Sequence, residues 1–373
     1  MWSLSTSIRF VSVIVALAAV LSACDSSSTN PDPLVIPTSY PGDGFQQNAE
    51  TELEVLTHLQ NLTDLMHTGR SGVTIDVSDL VAAIAPLRVL AEPSFQSIAD
   101  IYALDLAAST GGTYDPLKAP DQNNQGGVYG GYLLDEHGVE VQQLIEKGLY
   151  TTMCYDHAVQ LMKNSSLTIP QLDAVVAIFG ATPAFTNSDV ATTNRDRFAA
   201  KYAARRDKAD GTGPYTRFRD GALLAHGAIT AGANYLTRQR EGLTVMRQNW
   251  ERSQMATVTN YLYTAIDKLS QTTVSDSDRA TAIHSISEAA GFAIGFRFLE
   301  QGVSVITEDQ VDELLTGMRI PAAGPWTPYL FWQNPTETLP ELQAVITKIQ
   351  EIYGFTPEEM ESFRFNWVTV QGR

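Results

Sequence analysis

The chain has 373 residues with 25 Lys and Arg against 42 Asp and Glu, a formal net charge of −17 and only two cysteines. So acidic a surface repels nucleic acid and anionic lipid headgroups, so no nucleic-acid partner is expected; it favours cations or basic partners, with simple solubility as the plainer alternative. Two cysteines exclude a disulfide-built scaffold, so stability must come from burial.

Met1 to Arg9 carries one positive charge, and Phe10 to Val20 is a nearly unbroken apolar run followed by Leu21-Ser22-Ala23-Cys24. The run is too short to span a bilayer and reads as the core of a secretory signal over residues 1–23. Small residues before a cysteine match a bacterial lipobox. Lipidation of Cys24 is therefore expected, making the membrane a partner; an ordinary signal with a chance cysteine is the plainer alternative. The expected location is the cell envelope, in the periplasm or at the outer membrane, with Asp25 resembling an inner-membrane retention signal. Loss of Arg9 with the signal leaves 24 basic against 42 acidic residues, a net charge of −18, and leaves Cys154 as the lone thiol of the mature domain.

Residues 24–44 are rich in Ser, Pro, Asp and Gly and read as a flexible tether. Twenty such residues reach on the order of 65 Å when extended. From Phe45 onward the pattern is helical. Phe45 to His67 repeats leucine at spacings of three and four, a short helix capped by Asp76 or Ser78 runs to Ile84, and Glu92-Pro93 opens another to Ala108. Thr110 to Gly131 is a glycine-rich stretch expected as a loop. Leu133 to Lys163 is expected as one long helix, with Leu144, Ile145, Leu149, Met153 and Val159 on its apolar side.

Thr168 caps the next helix, to Phe179, with Pro170 in its first turn. Helices are further expected over 189–208, 214–236 and 239–269, from Ser275 to about Gln301, and from Thr307 to Gly317. After an aromatic, proline-rich loop over 321–335 come helices over 340–353 and 357–363. Only Asn366 to Val370 reads as a strand. The fold class is all-α, a helical bundle over 45–373, either one bundle or two coupled bundles meeting near 209–214.

Two His/Glu pairs lie within these helices. His137 and Glu140 are three apart and His284 and Glu288 four apart, spacings that put each pair on one helix face, where it can hold a divalent metal or share a proton. The plainer alternatives are a solvated helix start and the polar interior of a packed bundle. Gly138 points to a close approach of another chain segment, and Gly291 and Gly295 point to close helix packing. Glu146, Tyr150, Met153 and His157 fall on one line and read as a buried polar network. Glu300 lies about 120° from Glu288 and falls outside its site. Glu54 and His58 form a similar pair in the first helix, which shows how common such spacings are in an acidic helical chain. No HExxH, G-x-S-x-G, P-loop or Cys-x-x-Cys motif occurs.

The segments HSISEAAGFAIGFRF, NWERSQMATVTNYLYTAI, VVAIFGATPAF and GVEVQQLIEKGL resemble the bacterial lipoprotein family known as domain of unknown function 4856, over about residues 40–363. That family is regarded as imelysin-like. The resemblance implies a helical envelope protein associated with iron uptake and a Gly-x-His-x-x-Glu motif able to bind metal. His137 and Glu140 match its last two elements, while Asp135 stands in place of the glycine. The resulting expectation is a lipid-anchored, non-catalytic envelope binding protein, accessory to acquisition of iron or another divalent metal, with a metal, a chelate or an envelope protein as partner. A metal-dependent peptidase using His137 and Glu140, and a structural envelope interaction protein, are the alternatives.

Overall fold

The computed structural model describes residues 33–373, apart from 123, 124 and 165. The expected signal, Cys24 and the first part of the tether lie outside the described residues. The last part of the expected tether lies against the domain. Tyr40 is buried and donates its hydroxyl to Asp173 at 2.6 Å, Asn48 donates to the same carboxylate at 2.7 Å, and the Val35 carbonyl abuts Gly227.

The helices form where sequence periodicity and capping agree. The first expected helix is present as α1 (Phe45–Asn48) and α2 (Glu50–Thr68), whose Val55, Leu56, Leu59, Leu62 and Met66 are buried. It is followed by α3 (Val77–Ile84) and by α4 (Pro93–Ala108), which starts with Pro93 at its first position and the Glu92 carboxylate on the Phe95 amide. The glycine-rich stretch then departs from a plain loop. It ends in a hairpin of β1 (Gly127–Tyr129) and β2 (Tyr132–Leu134), antiparallel, with Val128 opposite Leu133. Gly130 and Gly131 make its two-residue turn at φ 58° and 88°, values that favour glycine.

The long helix expected from Leu133 is also corrected. Leu133 and Leu134 belong to the hairpin, and the Asp135 carboxylate captures the amides of His137 at 2.9 Å and Val139 at 2.7 Å. This local turn competes with helix formation, and Gly138 at φ 82° completes it. A Cβ on Gly138 would lie 2.5 Å from Trp332 and 2.6 Å from the Tyr114 hydroxyl, so the expected close approach is present, on a turn rather than a helix. Helix begins only with α5 (Val141–Leu149), passes through a π-helical stretch over Tyr150–Tyr155 and ends as α6 (Asp156–Met162).

Next comes α7 (Ile169–Phe179), with the expected cap at Thr168, which Gln171 completes as a capping box. The expected helix over 189–208 shortens to α8 (Phe198–Arg205), because Asn194 and Phe198 sit at positive φ and Asp196 is engaged by the Ser188 amide and the Tyr215 hydroxyl. Then follow α9 (Pro214–Ala231), α10 (Leu236–Leu269), α11 (Asp276–Ile294) with a 3₁₀ turn over Gly295–Phe298, α12 (Glu308–Gly317), α13 (Leu330–Gln333), α14 (Pro335–Tyr353) and α15 (Pro357–Ser362). The expected strand over Asn366–Val370 is instead α16 (Trp367–Gln371), capped by the Asn366 side chain on the Thr369 amide. Among the described residues no strand lies beside it to pair with, and a helix satisfies its backbone polar groups internally.

Among the described residues the architecture is thus an all-α bundle with one small hairpin. The 34-residue α10 is its axis, in contact with α8, α9, α11 and α14. Trp250 at its middle is fully buried against Phe179, Phe218 and Tyr155. Helices approach most closely at glycines. A Cβ on Gly221 would fall 2.7 Å from the Gly242 carbonyl, joining α9 to α10, and one on Gly291 would fall 2.3 Å from the Gln143 carbonyl, joining α11 to α5. Residues 209–214 link α8 to α9, and both helices pack on α10 within one compact unit, Leu34–Arg373. Among the described residues no helix is long and apolar enough to cross a membrane.

Candidate functional site

The crossing of α5 and α11 that Gly291 permits also assembles the polar interior. Glu140 occupies the N-cap of α5, fully buried, where the helix dipole favours a negative charge. Its amide donates to the Ser287 hydroxyl at 2.9 Å, which fixes the start of α5 against the middle of α11. Its carboxylate lies between two cations. Arg70, just beyond α2, sits 2.5 Å from one oxygen, and His284 Nδ1 sits 2.5 Å from the other.

His284 carries the network onward. Its Nε2 lies 3.1 Å from Glu288, one turn along α11, and its ring stacks on Tyr132 of the hairpin with centroids 4.3 Å apart. Glu288 is 3.4 Å from Lys147 Nζ and accepts from the Tyr202 hydroxyl at 3.2 Å. Lys147 in turn meets Glu146 at 2.8 Å, whose carboxylate accepts the Tyr150 hydroxyl at 2.7 Å. Tyr150, Tyr202 and Phe292 present ring faces to the ammonium at 5.0 to 6.0 Å.

The electrostatics follow from this geometry. Burial alone would lower the His284 pKa, but Glu140 and Glu288 outweigh it and raise it to about 9. Burial would likewise raise the Glu288 carboxyl, yet Lys147 and His284 hold it well below the usual carboxylate range. Glu146 is held down and Lys147 held up by their contact, each against its own desolvation. Groups of opposite sign therefore alternate through the interior. Glu140, Glu146 and Glu288 face Arg70, Lys147 and protonated His284.

Of the residues proposed from sequence as metal ligands, Glu140, His284 and Glu288 come together, and His137 does not. The turn at Asp135 replaces the helical spacing that would have set His137 beside Glu140. His137 instead lies edge-on to Trp326, with Nε2 3.6 Å from Glu136 and a buried Nδ1 that has no hydrogen-bond partner. The remaining three do not fit a metal ion as they stand. The two ring nitrogens of His284 are directed at different carboxylates, Nδ1 at Glu140 and Nε2 at Glu288, so the three side chains do not converge on one point. Among the described residues no group of three or more His, Cys, Asp or Glu side chains is disposed to hold a metal.

Other sequence expectations divide in the same way. Glu146 and Tyr150 are in contact, but His157 turns to Glu52 at 2.8 Å. The π-helical stretch between them adds residues to the turn and rotates His157 off the expected line. Glu300 lies outside the cluster and pairs with Lys163 at the surface, and Glu54 and His58 form an exposed contact at 3.8 Å. Sequence reasoning missed Arg70, Lys147, Tyr132 and Tyr202. Lys147 was the most findable, since it sits in α5 between the apolar Leu144 and Tyr150 at helical spacing, where a lysine has to find a buried partner.

A second polar feature lies apart from this cluster. A cavity of about 460 Å³ opens where the link after α8, the start of α9, the middle of α10 and α15 meet, and Arg206, Arg217 and Arg252 line it. In comparisons with protein-family models, with curated proteins and with solved structures, nothing matches this chain.

Proposed function

We propose that this chain is a non-catalytic binding protein of the cell envelope, held to a membrane by a lipid on Cys24. Within it the Glu140–His284–Glu288 network acts as an internal tie between helices and not as a reaction centre. The observation that supports this reading is charge balance. Each buried carboxylate of the network is matched to a fixed cation, so the cluster leaves no free base or acid for catalysis and no open coordination position. An accessory role in acquiring iron or another metal, the expectation raised by the family resemblance, then runs through a chelate or a protein partner and not through a bare ion on His284.

The test combines calorimetric titration of the full-length chain with Zn²⁺ and Fe²⁺ at pH 7 and thermal melting of His284→Gln. The proposal expects no metal binding that depends on His284, and a lowered melting temperature for the variant. One equivalent of metal bound by the wild type and lost in a variant of unchanged stability would overturn it. Anchoring is tested separately: Cys24→Ser is expected to move the protein from the membrane to the soluble fraction.

A further inference from the structure

Arg206 is the reverse case to the arginine in the network. It follows α8, is only 5 % exposed and lines the cavity described above. Its Nη1 donates to the Phe363 carbonyl at 2.6 Å, while its Nε is buried without a hydrogen-bond partner. Among the described residues no carboxylate lies within 4 Å of its guanidinium. Burial without a counter-ion lowers its pKa to about 10. Taking a guanidinium out of water with neither an anion nor a full set of acceptors is costly, so a cavity built around one is complementary to an anion.

The rest of the lining carries both signs: Asp210, Glu358 and Glu359 stand beside Lys208, Arg217 and Arg252, so with Arg206 the cations outnumber the carboxylates by four to three. Arg217 at its mouth bonds only the Thr212 carbonyl, and Lys208 lies over the Trp367 ring 4.9 Å from its centroid; neither makes an ion pair among the described residues. Arg252 is paired with Glu359 at 3.0 Å and lies over the Phe355 ring. Phe355 and Phe363 supply apolar wall. The volume falls in the range of small-molecule sites, in which an apolar lining carries a few convergent polar groups. The charge contrasts with the chain as a whole. Arg206, Lys208 and Arg217 are unpaired cations in a protein of net charge −17.

We propose that this cavity binds a small organic carboxylate, its anionic end on Arg206 and Arg217 and its apolar body against Phe355 and Phe363. A guanidinium lining the cavity offers planar N–H donors that match the two oxygens of a carboxylate. This names a ligand class for the binding protein proposed above and rests on that reading.

The test is calorimetry on the full-length chain with benzoate as probe, and with benzamide, acetate and inorganic phosphate as comparisons. Benzoate is expected to bind with Kd on the order of 1 mM or tighter. Benzamide, which keeps the ring and removes the charge, and acetate, which keeps the charge and removes the body, are each expected to bind at least about tenfold more weakly. Arg206→Met is expected to weaken benzoate about tenfold or more. Arg217→Gln, at the exposed mouth where folding is not at stake, is expected to weaken it several-fold. No benzoate binding by the wild type, equal binding by Arg217→Gln, or phosphate binding as tight as benzoate would overturn the proposal. The two readings fail separately. Absent benzoate binding leaves the closed network standing, and a His284-dependent metal leaves the benzoate result standing.

Discussion

Two buried arginine-bearing regions of this protein are built on opposite terms. Around Arg70 every charge has an opposite neighbour: Glu140, then His284, Glu288, Lys147 and Glu146, with Tyr132, Tyr150 and Tyr202 in contact with them. Around Arg206 the guanidinium has a single carbonyl and an open cavity. A closed ion network is a device for fixing helices, since each member orients its neighbours and none is left to react. An open, unpaired cation points outward to something it lacks. The cluster that looks most like a reactive site in the sequence is thus the one whose charges are paired, and the arginine without a carboxylate carries no motif.

The contrast can be broken by mutation. His284→Ala removes the shared cation between Glu140 and Glu288 and leaves two buried carboxylates short of a partner, a change that costs about 3–5 kcal/mol. Chemical denaturation measures it, and a loss below about 1 kcal/mol would mean that the network holds little. Next in size is the crossing that places α5 against α11. A methyl on Gly291 would meet the Gln143 carbonyl at 2.3 Å, so Gly291→Ala is expected to destabilise by about 1–3 kcal/mol. The same denaturation experiment checks it, with Gly302→Ala unsuitable as a control because that glycine sits at φ 81°.

Acidity sharpens the comparison further. The folded-state pKa of His284 lies above its unfolded value, so the folded protein holds a proton there that the unfolded chain releases. Its stabilising contribution is complete below about pH 6.5 and fades as pH rises through about 9. Glu288 has the opposite sign: its contribution is present above the usual carboxylate range and is lost on strong acidification. The gap in stability between wild type and His284→Gln is therefore expected to shrink between pH 6.5 and 10, as melting across that range would register. Smallest of all, removing the exposed Glu54–His58 contact by Glu54→Gln is expected to change stability by less than about 0.5 kcal/mol. A larger change would show that exposed His/Glu pairs also matter in this chain.

Much of the fold could be read from the sequence because it is local in origin. Leucines at spacings of three and four in α2, the Thr168 and Thr307 capping boxes and the Ser275 cap are information carried within one element. What could not be read depends on competition or on distance. The three-residue strands are too short to show alternation, and the Asp135 turn defeats a helical pattern with two side-chain hydrogen bonds. At the site, Glu288 and His284 were legible as an i, i+4 pair. Helical spacing pairs Glu140 with His137, whereas its position opposite His284 is set by a helix crossing between residues 144 apart in sequence. Arg70 and Arg206 lie in links between helices where periodicity says nothing.

The most direct test of the central claim is the NMR titration of the His284 imidazole, run with and without one equivalent of Zn²⁺. A closed network predicts a ring protonated on both nitrogens at neutral pH, titrating near 9, with resonances unmoved by the metal. A ring that titrates near 6.5, or one that shifts in proportion to added metal, would contradict it and return this cluster to the class of open sites.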